Sequence, residues 1–465
     1  MTPTVLFRRA QAALTVTLLA GCATLSPAPG QSTAYVVVGE GGAAVARVLT
    51  TAASCPEIVF DERSVVMGER GPRAPIPARA PRKDGLQPPS SAVLTCEAAI
   101  PAGTRQASVA GAALPLPKAE ATRIVVIGDT GCRIKHNEAQ DCNDPHAFPF
   151  ATVAKAAAAW RPDLVVHVGD YHYREDPCPA GRQGCAGSPF GYGWDAWDAD
   201  FFAPGRALLQ SAPWVMARGN HENCDRAGQG YWRFLDPRPL QPGRDCNAPA
   251  NDAVGNFSAP YAVPLGADAQ LVVFDTANTD YKGFKPGDPR LAAYADNYRK
   301  IAALAAGARY NIGVDHHPMF GFGAIQDKKT GAISLFGGDA GLLQAFGAID
   351  PGFLPASISM LLSGHVHLWE QVSFSSNHPT QFVSGFSGTA EDIVPLPASV
   401  APGVAPAPGA VVEHMSSWID GFGFMTMERL GPDRWQVKVW DRDGRERNSC
   451  QVEGRRSMCA VAQVK

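Results

Sequence analysis

From residue 123 onward the chain alternates short apolar runs with longer stretches in which alanine and bulkier apolar residues recur at helical spacing. Runs at 123–127, 164–168, 214–217, 271–274, 310–314 and 358–362 carry few polar residues, as strands covered on both faces do. Between them, 150–160, 194–209 and 290–306 read as helices. Strands and helices in turn predict a layered α/β architecture. Near the end, 424–428 and 435–440 alternate around Gly431-Pro432-Asp433 and predict a hairpin completing the sheet. The stretch 394–408, rich in Pro, Ala and Gly, predicts an irregular surface loop.

The pattern before residue 119 is different. Short apolar runs at 35–38, 92–95 and 107–110 are separated by Arg- and Pro-rich chain, and 114–117 reads as a semi-rigid linker. Tyr35-Val36-Val37-Val38-Gly39-Glu40-Gly41-Gly42, with Asp61 further on, imitates a strand, a phosphate loop and a ribose-binding acid. A dinucleotide fold needs further strand and helix units that this region lacks, so a glycine-rich hairpin turn in a small all-β sandwich is the better reading. The expected division is a β-sandwich domain over 34–116 and an α/β domain over 119–465.

Arg8-Arg9 and the apolar run from Ala12 to Leu19 predict an export signal over 1–21, the run being too short to cross a bilayer. Leu19-Ala20-Gly21-Cys22 resembles a bacterial lipobox, which implies cleavage before Cys22, lipidation of its sulfur and a tether over 22–33. The mature protein is then expected in the bacterial cell envelope, touching the membrane through Cys22 alone. Of the 11 cysteines, those other than Cys22 fall in neighbouring couples: Cys55 with Cys96, Cys132 with Cys142, Cys178 with Cys185, Cys224 with Cys246, Cys450 with Cys459. In an exported chain without Cys-x-x-Cys spacing they read as loop-stapling disulfides, the connectivity being left open. A net charge of −3 gives no basic face for a nucleic-acid partner.

The candidate chemistry sits where the apolar runs stop. They end in Gly128-Asp129-Thr130-Gly131, Gly169-Asp170-Tyr171-His172-Tyr173, Gly219-Asn220-His221-Glu222, His316-His317-Pro318 and Gly364-His365-Val366-His367. Strand carboxyl ends line the site in open α/β sheets. Asp, Asn, His and Tyr offer hard oxygen and borderline nitrogen donors, suited to iron, zinc or manganese. His365 and His367 alternate on an extended segment and so share a face. His167 lies inside an apolar run and reads as a hydrogen-bonded core histidine. His172 faces the site by position, with no role to assign. No Gly-x-Ser-x-Gly elbow or P-loop offers a rival hydrolase mechanism.

In their order, the five motifs resemble the calcineurin-like metallophosphoesterase superfamily and, within it, the purple acid phosphatases, over Asp129 to His367, which implies that the α/β layers form a β-sandwich flanked by helices. The small amino-terminal β domain resembles the fibronectin-like domain common in that family. The resemblance implies a dinuclear centre in which Asp129, Asp170, Tyr173 and His367 hold one ion. Asp170, Asn220, His316 and His365 hold the other, with Asp170 as bridge. It places the ligand two residues before Pro318, at His316, and leaves His317 in a supporting position. Most of the superfamily carries His two residues after the first Asp, where this chain has Gly131. The lost nitrogen coincides with the gained phenol of Tyr173, the purple acid phosphatase pattern, which implies Fe(III) beside a divalent Fe, Zn or Mn. That family often has further histidines after the fourth motif, but 319–329 contains none. His221 is therefore the candidate acid for the leaving group, imidazole titrating near the working pH.

The expected activity is hydrolysis of a small phosphate monoester, a metal-bound hydroxide attacking phosphorus. The alternatives are a phosphodiesterase on the same centre and a catalytically idle surface-binding protein. Intact ligands beside His221 argue against the idle reading. For the anchor, Cys22→Ser is expected to leave the protein unlipidated and released from membranes. Membrane fractionation checks this, and a variant still firmly bound would remove the lipobox argument.

Overall fold

Two large sheets face each other across an aliphatic core, and helices cover their outer faces. The computed structural model describes Met1 and residues 32–79, 92–135 and 138–464; the export signal, Cys22 and the tether up to residue 31 lie outside the described residues. In the strand Arg123–Ile127, Ile124 and Val126 enter the core between the sheets, while Val125 and Ile127 enter the one beneath the helices. In Ile358–Ser363, Met360 and Leu362 face the inter-sheet core and Leu361 the helical side. Successive side chains alternate faces, so a strand buried on both reads as an unbroken apolar run.

Arg123–Ile127, Leu164–His167 and Trp214–Met216 are parallel neighbours in an 11-stranded sheet. Ala269–Val273, Tyr310–Val314, Ile358–Ser363 and Thr380–Ser384 are parallel neighbours in a 7-stranded one. Phe150–Ala159 and the Trp194–Leu209 segment cover the first sheet; Pro289–Ala305 and Ala340–Gly347 cover the second. The 194–209 segment contains a π-helical stretch, Asp198–Phe202, ending just before Pro204, which has no N–H to continue the regular ladder. The expected C-terminal hairpin pairs onto Arg123–Ile127, and Glu446–Glu453 and Arg456–Cys459 extend it to the sheet edge. The 394–408 loop is irregular, yet Leu396 and Ala407 anchor it in the core beneath the helices.

Ser32–Val38 and Ala44–Thr50 form the glycine-turn hairpin, with Gly41 and Gly42 at φ 65° and 82°. Ser32 and Thr33, placed in the tether by sequence, already belong to this strand. Val93–Ala99 and Gly68–Ala74 follow, and Glu57–Phe60 leads a separate 4-stranded sheet over them, closing a core of Val36, Val48, Ile58, Leu94 and Val109. This small β-sandwich shares one of its sheets with the rest of the protein. Val37 pairs in parallel with Trp214, so the amino-terminal strands form one end of the 11-stranded sheet.

Two buried arginines hold that junction. Arg47 donates to the carbonyls of Phe234 (2.8 Å) and Asp236 (3.0 Å), and Arg70 to those of Trp232 (2.6 Å), Arg233 (3.0 Å) and Asp236 (3.1 Å). Both also pair with Glu97. The cysteine couples are all bonded, as Cys55–Cys96, Cys132–Cys142, Cys178–Cys185, Cys224–Cys246 and Cys450–Cys459, which places the fold in an oxidising, extracytoplasmic compartment. Among the described residues no helix is long and apolar enough to cross a membrane.

Removing one member of a buried charged network costs about 3–5 kcal/mol. Arg70→Met is therefore expected to lower stability by about 3 kcal/mol in urea unfolding, in a transition shared by both regions. An early, separate unfolding of residues 34–116 would show that the arginine grip does not couple them.

Candidate metal centre

The predicted residues arrive from both sheets. Asp129, Asp170 and Asn220 follow the carboxyl ends of Arg123–Ile127, Leu164–His167 and Trp214–Met216, while His316 and His365 follow Tyr310–Val314 and Ile358–Ser363. The turns are sharp. Asp129, Asp170 and His365 sit at φ 53°, 58° and 72°, in the left-handed region that Asp, Asn and His tolerate better than most side chains. Such positions cost about 1–3 kcal/mol each and persist where the surroundings fix them. Here Glu222 does much of the fixing: its buried carboxyl accepts the backbone N–H of Asp170 (3.1 Å), Tyr171 (2.9 Å) and Gly219 (3.1 Å). Burial, reinforced by Asp170, pushes the Glu222 carboxyl up to about 8. Gly219 is obligatory, since a Cβ there would lie 2.0 Å from Asp170 Oδ1.

Each aspartate spends one oxygen on backbone and directs the other inward. Asp129 Oδ2 accepts His365 N at 3.0 Å, and Asp170 Oδ1 accepts His221 N at 2.8 Å. Around Tyr173 Oη lie Asp129 Oδ1 (2.7 Å), Asp170 Oδ2 (3.0 Å) and His367 Nε2 (2.9 Å). A second group joins Asp170 Oδ2 to His316 Nε2 (3.2 Å), and Asn220 Oδ1 to His316 Nε2 and His365 Nδ1 (3.0 Å each). All seven predicted ligands thus fall in two clusters that share Asp170 Oδ2.

The donor set fits cations. One phenolic hydrogen cannot serve three acceptors around Tyr173. His316 Nδ1 donates to the Val168 carbonyl at 2.8 Å, which leaves Nε2 of the neutral ring a bare lone pair facing two oxygens. Lone pairs meet lone pairs, a condition that a proton or a metal ion resolves. Burial opposes protonation of His316, but Asp170 and Asp129 overcome it and raise its pKa to about 10. Burial likewise works against the Asp170 carboxylate, yet His316 and His221 hold its pKa well below the usual range. Burial raises the Asp129 carboxyl, and burial with Asp129 and Asp170 pushes the Tyr173 phenol far up.

His221 is not in either cluster. Its Nδ1 faces the Glu175 carboxylate (2.7 Å) and the His172 carbonyl (2.9 Å), and its ring packs 3.9 Å from that of Tyr173. Its Nε2 points back toward Asp170 Oδ2 at 3.8 Å. Burial, aided by Arg226, lowers its pKa to about 4 against the pull of Asp170 and Glu175. His317 donates its backbone N–H to Thr276 Oγ1 (3.1 Å), and one of its ring nitrogens lies within 4.8 Å of ligand nitrogens of His316 and His365. His167 is a core histidine as expected, its Nε2 3.0 Å from Thr130 Oγ1 and its Nδ1 accepting Gly169 N at 3.1 Å. His172 departs from expectation. Its ring does not face the site but is buried against Tyr192 and Trp197, and only its carbonyl reaches His221.

Sequence reasoning gave no role to Glu175, Asp200 or Glu222, the last of which it had quoted in a motif. The Asp200 carboxylate accepts Cys132 N (3.0 Å) and Tyr173 N (2.7 Å), aligning the segments on either side of the phenol. Glu175 and Glu222 each lie two residues from a recognised motif position, a signal that was available. Asp200 sits in the 198–202 stretch, remote in sequence, and nothing local marks it. Gly131 is packed as tightly as the exchange with Tyr173 implies: a Cβ would lie 2.8 Å from Tyr171 O and Tyr173 N.

The sequence matches the calcineurin-like phosphoesterase family model over residues 122–368. No protein of curated function matches it significantly. Among solved structures it is similar to purple acid phosphatase PPD1 from yellow lupin (Lupinus luteus) seeds, at 14% identity and a TM-score of 0.52, covering 91% of this chain and 75% of that one. It is similar to PhoD at 12% identity and a TM-score of 0.51, covering 92% and 91%. At such identities the likeness is one of fold.

Gly131→Ala is expected to push Tyr173 out of the acceptor cluster at a cost of about 1–3 kcal/mol, the range for overpacking. Thermal unfolding and metal content of the purified variant check it; unchanged values in both would mean that the backbone yields without moving the phenol.

Proposed function

Because this chain belongs to the calcineurin-like phosphoesterase family, we propose that it is a dinuclear-metal hydrolase of phosphate monoesters, of the purple acid phosphatase kind. The observation that carries the finer reading is the Tyr173 phenol within 3.0 Å of both aspartates and His367, opposite a Gly131 that admits no side chain. In this reading Asp129, Asp170, Tyr173 and His367 hold one ion, Fe(III), and Asp170, Asn220, His316 and His365 hold a divalent Fe, Zn or Mn. A buried phenol flanked by two carboxylates ionises only against a strongly charged cation, which favours a trivalent ion on its side. Two adjacent cations neutralise charge on the attacking and leaving oxygens of an in-line phosphoryl displacement.

The chain's own residues supply orientation and a proton. Glu222 fixes the turn that presents Asp170, and Asp200 fixes the one that presents Tyr173. His221, pinned through Nδ1 by Glu175 and the His172 carbonyl, keeps Nε2 on the side of Asp170 (3.8 Å), where it donates to the departing alkoxide. A phosphate dianion arriving beside the ring favours its protonated form and so opposes the depression caused by burial. The disulfides fit an envelope enzyme, and Cys22 supplies its lipid anchor.

General acids contribute about 10²–10⁴ in rate. His221→Ala is expected to keep its metal and lose turnover by at least about 10²-fold, whereas Asp170→Asn and His365→Ala lose metal and activity together. Assays on mono- and diester substrates alongside elemental analysis check this, and normal turnover by His221→Ala would end the acid assignment. A visible charge-transfer colour that survives purification and fades in Tyr173→Phe is expected for tyrosinate on Fe(III). Active protein that contains no iron, shows no band and has unchanged metal in Tyr173→Phe would sink the purple acid phosphatase reading while leaving the family untouched.

A further inference from the structure

A two-stranded ribbon, Ile134–Lys135 against Glu138–Ala139, stands beside the metal centre and is held far more firmly than its length requires. Cys132–Cys142 closes its base, and Ile134 is fully buried. Ile134 N donates to the Tyr173 carbonyl at 3.0 Å, and Glu175 N and Asp176 N donate to the Ile134 carbonyl at 3.0 Å each. Gln140 Oε1 accepts both Arg133 N and Ala390 N at 3.0 Å, and Gln140 Nε2 donates to the Gly388 carbonyl at 2.9 Å. The ribbon is thus fixed to the segment that carries Tyr173 and to the one whose Ala390 carbonyl faces His367.

What this platform displays is positive charge. Arg133, directly before the strand, and Lys135 within it flank the buried Ile134 and are both partly exposed, which puts them on the side away from it. The Arg133 guanidinium lies 5.7 Å from the centre of the Tyr173 ring, and its Nη2 is 3.0 Å from His367 Nδ1. That nitrogen directs its own hydrogen at the Ala390 carbonyl (3.0 Å), and the ring's lone pair, on Nε2 3.5 Å from the guanidinium, is turned to the Tyr173 hydroxyl (2.9 Å). The only ion pair of Arg133 among the described residues is with Glu138 at 3.2 Å, whose side chain is 70% exposed. Lys135 is half-buried and has no hydrogen-bond or ion-pair partner among the described residues. Burial and Arg226 lower its pKa, and the carboxylates acting on it are Glu175 and Asp170. Glu175 is already engaged by Arg226 and His221, and Asp170 by the metal clusters. Partly desolvating an ammonium without a partner is unfavourable, and so is resting a guanidinium against a ligand of a metal ion. An anion from outside relieves both.

We propose that Arg133 and Lys135 form a second anion-recognition point beside the metal centre, selecting substrates that carry another anionic group next to the scissile phosphate. This rests on the phosphoesterase reading of the same cleft. The scissile phosphate is held by the two ions, and the ribbon takes a neighbouring phosphate or carboxylate.

Inorganic pyrophosphate and orthophosphate are the probes, titrated calorimetrically into the metal-loaded protein, with phenyl phosphate as the singly phosphorylated substrate. Wild type is expected to bind pyrophosphate more tightly than orthophosphate. Lys135→Ala and Arg133→Ala are each expected to lose about tenfold of that preference, the weight of one charge-assisted contact, and Lys135→Arg to keep it. The kcat/KM ratio of pyrophosphate to phenyl phosphate is expected to fall in parallel. An unchanged preference in both alanine variants overturns the proposal. So does an equal loss for both ligands, which would assign the cations to the scissile phosphate. Protein that turns over neither substrate yet keeps a Lys135-dependent preference for pyrophosphate would overturn the phosphatase reading, and with it the selection of substrates, while leaving the anion-binding point itself.

Discussion

The rest of the molecule depends on one unfavourable arrangement, buried lone pairs gathered from strand ends of two sheets into two clusters that share Asp170 Oδ2. Tyr173, Asp129 and His367 approach it from one side, and His316, Asn220 and His365 from the other. Left to themselves these groups repel, so the surrounding backbone has to hold them. Three of the seven adopt left-handed conformations, and a glycine at 219 lets two turns touch. Glu222 ties the Asp170 and Gly219 turns together from behind.

Long-range contacts add to that constraint. Arg218, next to the Gly219-Asn220 turn, pairs at 2.9 Å with Asp275 at the end of the Ala269–Val273 strand, both side chains buried. That pair joins the two sheets beside the metal ligands. Asn220 and His221 open a segment that continues to the Tyr231–Leu235 turn, whose carbonyls Arg47 and Arg70 grip from the amino-terminal strands. Cys224–Cys246 closes the same segment on itself. The amino-terminal sandwich is therefore tied to the same segment that carries Asn220.

How much of this was legible in sequence follows from which contacts are local. Parallel strands buried on both faces read as apolar runs, and their ligands come directly after them, so the metal cluster could be assembled from five short motifs. The strands Trp369–Phe374, Thr380–Ser384 and Val412–Trp418 were invisible because buried polar residues interrupt their apolar ones. Gln371 donates to Ser457 Oγ (2.7 Å), Gln381 to Ser363 Oγ (3.0 Å) and Thr380 to the Val372 carbonyl (3.0 Å). Buried residues that satisfy one another by hydrogen bonds break the hydrophobic period on which such reading relies. The sharing of a sheet between the two regions rests on Val37 meeting Trp214, a pairing too remote in sequence to leave a local trace. The misplaced His172 has a simpler cause. Beyond a left-handed Asp170 the chain no longer alternates like a strand, so position alone could not say which of Tyr171, His172 and Tyr173 turns inward.

That same break is what turns the phenol toward the two aspartates. Tyr171 turns into the core, stacking 3.7 Å from His167 and donating to the Ala217 carbonyl at 2.8 Å. With Tyr171 and His172 both committed to packing, Tyr173 is the side chain delivered to the acceptors, and Asp200 holds its backbone N–H. A side chain at position 131 would collide with the backbone of this segment, so an imidazole there and the present placement of Tyr173 exclude each other sterically. The choice between a nitrogen and an oxygen donor on that side of the centre is therefore made by backbone packing before any metal is considered. A neutral imidazole adds no charge, whereas a phenolate adds one to a side that already holds two carboxylates. If Tyr173 ligates as proposed, the accumulated negative charge is what a trivalent ion balances better than a divalent one, so the packing at Gly131 would link the shape of one turn to the charge of the ion held there.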